Sequence, residues 1–592
     1  MTKKMTLLML MAMGLQLATA QYKITDGTEL LPLKKVPLEK MYVHLSSNLL
    51  FSGEYMYYKL YVINAQTHKA SAISSVGYID LVNAQGQIIF NHKVRLEKGV
   101  AQGDFFLNTD VPSGHYKLVA YTQWMKNGGL AQVFQEDVLI INPYLADQSS
   151  ILANGENGRT EGGQSQDGAT AGNTAKKSEA LAIETDTSQY GTRSKVTLGF
   201  TLWDKKVGTG KYSLSVRKKG DIPYPTTTTA ESFSRDFFNA KKSIPQTIGD
   251  SVYLPEQRGE LIHGQVTQDG TQLPAANKQV VISIPDQEFI LKSVTTNDQG
   301  YFYAYLKKDY NVPNAIFQVM GEGQYTIRLL RPSHLPYEKL HFDKIAIDTT
   351  HGNPIRARSL QNQIENAFFE AKPDSILPKG SFDPFDGGMP KVYVLDDYTR
   401  FPTFQETLVE IFENVGYRNN GKKGDYIRVA QDFEKINESY NDFPAIVLID
   451  GVFIPDHERI KELDARNINK IYVLQDQLVL GPKQYQGMVF VETFKKDYMD
   501  TYQGRNVLTT EIAVPKVQKR YFKQHYPPAV ATYDRIPDYR HLLLWEPHLD
   551  LSGDAPTLAF FTSDVKGTFE VVLEGFTDYG KPISLKKTFV VK

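Results

Sequence analysis

No cysteine occurs in the 592 residues. That absence excludes disulfide scaffolds, thiol catalysis, thiolate zinc sites, iron–sulfur clusters and lipid anchors carried on cysteine. An excess of one charge sign is missing too: 66 Lys and Arg face 67 Asp and Glu, a net charge of -1. The chain therefore has no sequence-independent pull toward nucleic acid or anionic lipid. Beyond the N terminus there is no apolar run of about twenty residues, so no transmembrane helix is expected in the mature chain. The twelve histidines are scattered and form no His-x-His or His-Glu-x-x-His spacing, so zinc-hydrolase ligand spacing is missing. No Gly-x-Ser-x-Gly elbow, phosphate loop or dinucleotide fingerprint is found.

What is present points to strands. The length predicts roughly four domains, and 41% hydrophobic with 22% charged residues is ordinary for a folded protein. Tyr (34) and Phe (31) are abundant, which favours β-structure. At the N terminus Lys3 and Lys4 precede the apolar stretch Thr6 to Leu17, and Ala18-Thr19-Ala20 has small-x-small spacing. Residues 1–20 are read as a signal peptide, and the mature chain as exported.

Along the chain, residues 21–142 read as one β-sandwich. Its strand-like stretches include Lys40 to Leu45, Tyr55 to Val62, Gly77 to Val82 and His115 to Tyr121, with a hairpin composition at Asn83-Ala84-Gln85-Gly86. Residues 143–184 are rich in Gly, Gln, Asn, Ser and Thr. They are expected to be a flexible linker, cut first by protease between Ala146 and Glu184. A second sandwich is assigned to 185–256, a further β-domain to 257–335, and a connector with a helix over 355–372 to 336–389. Residues 390–496 change to mixed α/β, with a helix starting at Pro402-Thr403 and a buried strand at Ala445 to Ile449. Residues 497–592 return to β as a separate C-terminal module.

Four stretches resemble known families. Glu39-Lys40-Met41-Tyr42-Val43-His44, Ser52-Gly53-Glu54 and Pro112-Ser113-Gly114-His115-Tyr116-Lys117-Leu118 resemble a macroglobulin-type immunoglobulin-like domain. Gly264-Gln265-Val266-Thr267 and Asn297 to Phe302 are similar to the carboxypeptidase-regulatory-like fold. Leu448-Ile449-Asp450-Gly451-Val452, Asn467 to Leu474 and Gly487 to Thr493 resemble the plug domain of TonB-dependent receptors. Arg535 to Arg540, Trp545-Glu546-Pro547 and Phe561 to Asp564 are similar to another macroglobulin-like module. The order resembles exported, barrel-less, plug-containing proteins of Gram-negative bacteria. Residues 497–592 show no lipid-facing alternation and are too short for a receptor barrel, and no TonB box follows the signal peptide. The resemblance thus implies a protein that is not itself a transporter. Without a thioester cysteine it also implies no covalent protease trap.

Two groups of residues are candidate binding sites. Tyr55, Tyr57 and Tyr61 fall on one strand face with Lys59 among them, an aromatic strip able to engage a glycan or partner chain. The ordinary reading is a sandwich core. Asp396 and Asp397 sit at a strand end, where adjacent carboxylates can bind a hard cation or share a proton; the ordinary reading is a solvated turn. His457, His541 and His548 are the histidines near other polar clusters, and a surface or satisfied core position accounts for each. Asp298-Gln299-Gly300 and Asp450-Gly451 read as turns.

The expectation is a mainly β, multidomain chain: tandem immunoglobulin-like, macroglobulin-like sandwiches with one small α/β plug-like domain. The expected role is a non-enzymatic interaction or scaffold protein of the Gram-negative envelope, docking on an outer-membrane partner or envelope complex. No cofactor, catalytic residue, metal or nucleic-acid partner is assigned. One alternative is a peptide- or glycan-binding accessory of an outer-membrane uptake system. Another is a hydrolase whose site is assembled from residues distant in sequence.

Overall fold

The computed structural model describes residues 22–24, 26–152, 181–220, 222–237, 247–378, 382–419, 421, 424–431, 443–526, 535–552 and 556–592. The signal-peptide reading and most of the expected linker lie outside these. The chain forms two compact units. One, the frame unit, comprises Gln21–Arg258, His334–Lys379 and Lys516–Lys592; the other, the inserted unit, comprises Gly259–Ser333 and Gly380–Pro515.

In the frame unit the first sandwich packs a three-stranded sheet on a five-stranded one. The first is ordered Glu39–Leu45, Tyr55–Asn64, Val100–Phe106; the second Leu49–Phe51, Phe134–Ile141, Gly114–Tyr121, Val76–Asn83, Ile88–Arg95. Strand alternation explains the layers. On Tyr55–Asn64, Met56, Tyr58 and Leu60 are each 0% exposed and fill the core, while Tyr55, Tyr57, Lys59 and Tyr61 face the other way. The hairpin between Val76–Asn83 and Ile88–Arg95 closes through Asn83, whose side chain accepts from Gln85 N and Gln87 N. Gly86 takes φ 78° there, a left-handed conformation that disfavours a Cβ.

A second sandwich repeats the first strand for strand. Its sheets are ordered Leu181–Thr185, Lys195–Leu202, Thr557–Phe561 and Gln189–Tyr190, Pro582–Val591, Gly567–Thr577, Gly210–Lys218, Leu542–Leu549. Even the parallel pair recurs: Leu49 opposite Leu139 in the first sandwich corresponds to Gln189 opposite Val590 in the second. One connection differs. The hairpin that residues 84–87 close in the first sandwich is replaced in the second by residues 219–541.

This corrects the domain map. The sandwich assigned to 185–256 and the module assigned to 497–592 are two halves of one domain, because neither half has enough strands to bury its apolar faces alone. Leu214, Val216, Leu544, Val571 and Leu573 share a single core. Residues 257–335 do not stand alone either, since Val507–Glu511, assigned to the C-terminal module, pairs with Asn314–Val319. The linker is shorter than 143–184: Ile347 N donates to Ile151 O, and Leu181 already begins a strand.

Segments flanking the inserted unit bind the frame together. The helix Ala230–Phe237 drives Phe233 among Tyr42 (5.5 Å between ring centroids), Phe134 (6.3 Å) and Phe576 (6.4 Å). A carboxylate from each sandwich meets its N-terminal turn, with Thr228 N donating to Glu136 at 2.9 Å and Ala230 N to Glu574 at 2.7 Å. Further along, Tyr337 Oη donates to the buried Asp80. The helix Gly352–Ala367 then lies in the region read as a connector.

In the inserted unit, one sandwich has sheets Tyr301–Leu306, Glu260–Gln268, Tyr325–Leu329 and Ile290–Thr295, Gln279–Ile284, Asn314–Val319, Val507–Glu511. Beside it is a mixed sheet ordered Lys391–Val394, Ile468–Leu480, Lys483–Thr493, Ile446–Ile449, Val452–Phe453. The helix Phe404–Ile411 packs there and starts at Thr403, which forms a capping box with Glu406. Asp450 (φ 48°) and Gly451 (φ 86°) make the two-residue turn between Ile446–Ile449 and Val452–Phe453. Val281, Phe289, Leu448 and Phe490 form a common apolar cluster between this sheet and the sandwich.

Candidate functional site

The outward face of Tyr55–Asn64 passes through two environments. At one end Tyr55 and Tyr57 enter a cavity of about 360 Å3 in the frame unit, walled by both sandwiches and the helix Gly352–Ala367. That volume falls in the range of small-molecule sites, about 300–1,000 Å3. At the other end Lys59 and Tyr61 are sealed in the joint between the sandwiches, 1% and 2% exposed. Tyr61 Oη donates to Ser213 Oγ at 2.8 Å. Lys59 Nζ lies 3.2 Å from His548 Nδ1; burial, then Lys211, brings its pKa down to about 7. His548 is likewise pushed down by burial, to about 4. The three tyrosines therefore do not act together: two line a cavity and the third is a structural contact.

The strand wall of the cavity is aromatic. Side chains two apart on a strand stand side by side, and here the row extends through other elements. Phe369 is near-parallel to Tyr55 (5.9 Å, 14°), Tyr55 to Tyr57 (5.7 Å, 24°), and Tyr57 to Trp545 (6.3 Å, 27°). Tyr521 meets Tyr57 edge-on at 4.9 Å. Trp545 Nε1 is buried with no hydrogen-bond partner.

The helix wall is polar. Arg358, Gln361, Asn362 and Glu365 recur at helical spacing and line the cavity, while the apolar Leu360 is 58% exposed on the other side. This inverts the usual amphipathic pattern. Arg358 forks onto Glu54 (Nε–Oε1 and Nη2–Oε2, both 2.8 Å), and Asn362 Nδ2 donates to the same carboxylate at 2.8 Å. Lys372 pairs with Glu365 at 2.6 Å, Arg540 with Asp538 at 2.6 Å and Arg217 with Glu570 at 3.7 Å. His541 Nε2 lies 2.6 Å from Gln361 Oε1. Burial, with Arg358 and Lys218 nearby, holds this imidazole well below its ordinary pKa, so the neutral ring donates that bond.

Asp396 and Asp397 lie in the inserted unit, both exposed, in the 3-10 turn Leu395–Asp397. Asp396 pairs with Arg400. Among the described residues no group of three or more His, Cys, Asp or Glu side chains is placed to hold a metal ion. His457 is buried and its Nδ1 accepts from Ile427 N at 2.8 Å, with burial pushing its pKa to about 4. Asn297, not Asp298, organises its turn, accepting from Gln299 N and Tyr301 N.

Sequence reasoning missed the helix wall, Trp545 and Tyr521. The helix did leave a signal: polar residues at 358, 361, 362 and 365, with Leu360 and Ile364 the apolar residues between them, form a polar face unsuited to packing on a core.

The fold defines a class: a mainly β, multidomain protein built on tandem β-sandwiches. No family model and no curated protein sequence matches the chain. Among solved structures it is similar to Salmonella α2-macroglobulin reacted with methylamine, at 9% identity and TM-score 0.22 over 96% of this chain and 40% of that one. Native Escherichia coli α2-macroglobulin gives 11% identity and TM-score 0.22 over 96% of this chain and 41% of that one. A tetra-tandem repeat from the extending region of a large adhesion protein gives 7% identity and TM-score 0.13, covering 94% and 100%. The chain thus spans about two-fifths of the length of those macroglobulins. Likeness at this level carries no argument about function, and the fold class rests on the strand pairing itself.

Proposed function

We propose that this chain is a non-enzymatic interaction and scaffold protein of the Gram-negative cell envelope, whose tandem sandwiches carry the inserted unit to an outer-membrane partner. One observation carries this reading. The second sandwich keeps every strand and direction of the first, yet replaces a four-residue hairpin loop with residues 219–541. A hairpin tip is where a sandwich tolerates an insertion at little cost to its core. The plug-like carriers Leu448 to Val452 and Gly487 to Thr493, with the regulatory-like carriers Gly264 to Thr267, all lie in that inserted unit. Export by the N-terminal leader belongs to the same proposal.

The test is a mild-detergent pull-down of the tagged full chain from cell envelopes, read by mass spectrometry. A stoichiometric outer-membrane barrel or secretion component is expected. Recovery of the chain alone would refute stable docking. A second reading, a ligand-binding accessory of an uptake system, is favoured by the cavity of the frame unit.

A further inference from the structure

We infer that the frame-unit cavity is a binding site for a neutral oligosaccharide, held between the aromatic strand wall, reached through Phe369 and Tyr55, and the polar helix wall. This goes beyond the docking proposal and stands without it.

The ligand class follows from the two walls. The four near-parallel rings, 5.7–6.3 Å apart, cover part of one another's faces; Trp545 is only 3% exposed, so Phe369, 45% exposed, and the half-buried Tyr55 and Tyr57 are the rings a ligand can reach. The slightly positive C–H groups on the apolar face of a pyranose ring are attracted to the negative face of an aromatic ring. The opposite wall supplies amides and fixed ion pairs. Gln361 spends its Oε1 on His541, and Asn362 and Asn366 spend their Nδ2 groups on Glu54 and Gly53 O. Gln361 Nε2 and the Oδ1 atoms of Asn362 and Asn366 have no partner among the described residues, leaving a donor and two acceptors for hydroxyls. Uncharged hydroxyl-rich ligands need such paired donors and acceptors.

Other classes fit less well. Arg217, Arg358, Lys372 and Arg540 are each matched to a carboxylate, so little positive charge in the wall is left to select an anion. Lys218 and Lys219 also border the cavity; the half-buried Lys218 is already engaged by a partner, and Lys219 is solvent-exposed, where salt screens its attraction. A lipid or apolar peptide would bury the helix wall's amides and ion pairs without hydrogen bonds, at a desolvation cost.

The test uses the purified full chain, titrated with neutral malto-, cello-, xylo- and manno-oligosaccharides and followed by tryptophan fluorescence and thermal shift. A sulfated polysaccharide and an aromatic-rich peptide are run alongside. The expected result is saturable binding of at least one neutral series, unchanged across a tenfold range of salt. Tyr55→Ala should weaken it roughly tenfold or more, the effect of losing one stacking platform. Phe369→Ala, removing a ring that is 45% exposed, is a second variant with little capacity to disturb folding and should weaken binding in the same direction. Tyr579→Ala, removing an exposed ring away from the cavity, should leave binding unchanged. The inference is overturned if no neutral saccharide binds at millimolar concentration, or if Tyr55→Ala and Phe369→Ala bind as the parent does. It is equally overturned if only the peptide binds, or only the sulfated polymer with steep salt dependence.

Discussion

Glu136 and Glu574 are carboxyls from different sandwiches, both buried, and both receive backbone N–H groups from the start of one helix. Burial raises each to about 7 from an ordinary 4.5. Between those values the folded chain holds a proton that the unfolded chain has released, so stability from each group is full below about 4.5 and is lost as pH rises through about 7. His44, His92 and His541 are depressed by burial and act in the opposite sense, so the parent's melting curve mixes both. The difference between Glu574→Gln and the parent isolates the carboxyl. Calorimetry at pH 5 and pH 8 should show Tm of the variant, relative to the parent, rising with pH. A pH-independent difference would mean that Glu574 is ionised throughout. Nothing in the local sequence around Glu136 or Glu574 marks them, because alternation on their strands shows a polar residue on an outward face and not the second sandwich that covers it.

At the scale of elements, the helices Ala230–Phe237 and Gly352–Ala367 of the frame unit do different work. Ala230–Phe237 is a wedge whose Phe233 is 1% exposed among rings from both sandwiches. Phe233→Ala should cost about 3–5 kcal/mol, the price of an emptied aromatic site in a core, seen as a lower urea midpoint. Hydrogen exchange should also accelerate on this helix first. Gly352–Ala367 is instead anchored by the Arg358–Glu54 fork, whose side chains are 17% and 14% exposed. Glu54→Ala strips a nearly buried guanidinium of its partner and should destabilise by roughly 1–3 kcal/mol. An unchanged midpoint would show that water replaces the carboxylate. The strand Tyr55–Asn64 was legible over Tyr55 to Val62, following the Ser52-Gly53-Glu54 turn. The helix was legible as a helix, but its inward face was not, since it turns polar residues toward a cavity rather than apolar ones toward a core.

For the whole molecule, the sharpest consequence is that Lys195–Leu202 and Gly210–Lys218 depend on strands more than 300 residues away. A chain ending at residue 541 should lose amide protection over 195–218 while the first sandwich keeps its own, measured by hydrogen exchange with mass spectrometry. Retained protection over 195–218 would restore the independent domain that sequence alone suggested. The amino-acid sequence by itself determined where strands form, through period-two alternation and through Gly, Asn and Asp at turns such as 83–86 and 450–451. It also determined the mainly β class and excluded cysteine chemistry outright. Only tertiary structure decided which strands pair, joining 181–218 to 542–591. It also placed Tyr55 and Tyr57 in a cavity while sealing Tyr61 in a joint. The physical reason is range: alternation and turn chemistry act over a few residues and are written locally, whereas strand partners and cavity walls are chosen by burying apolar faces from any part of the chain.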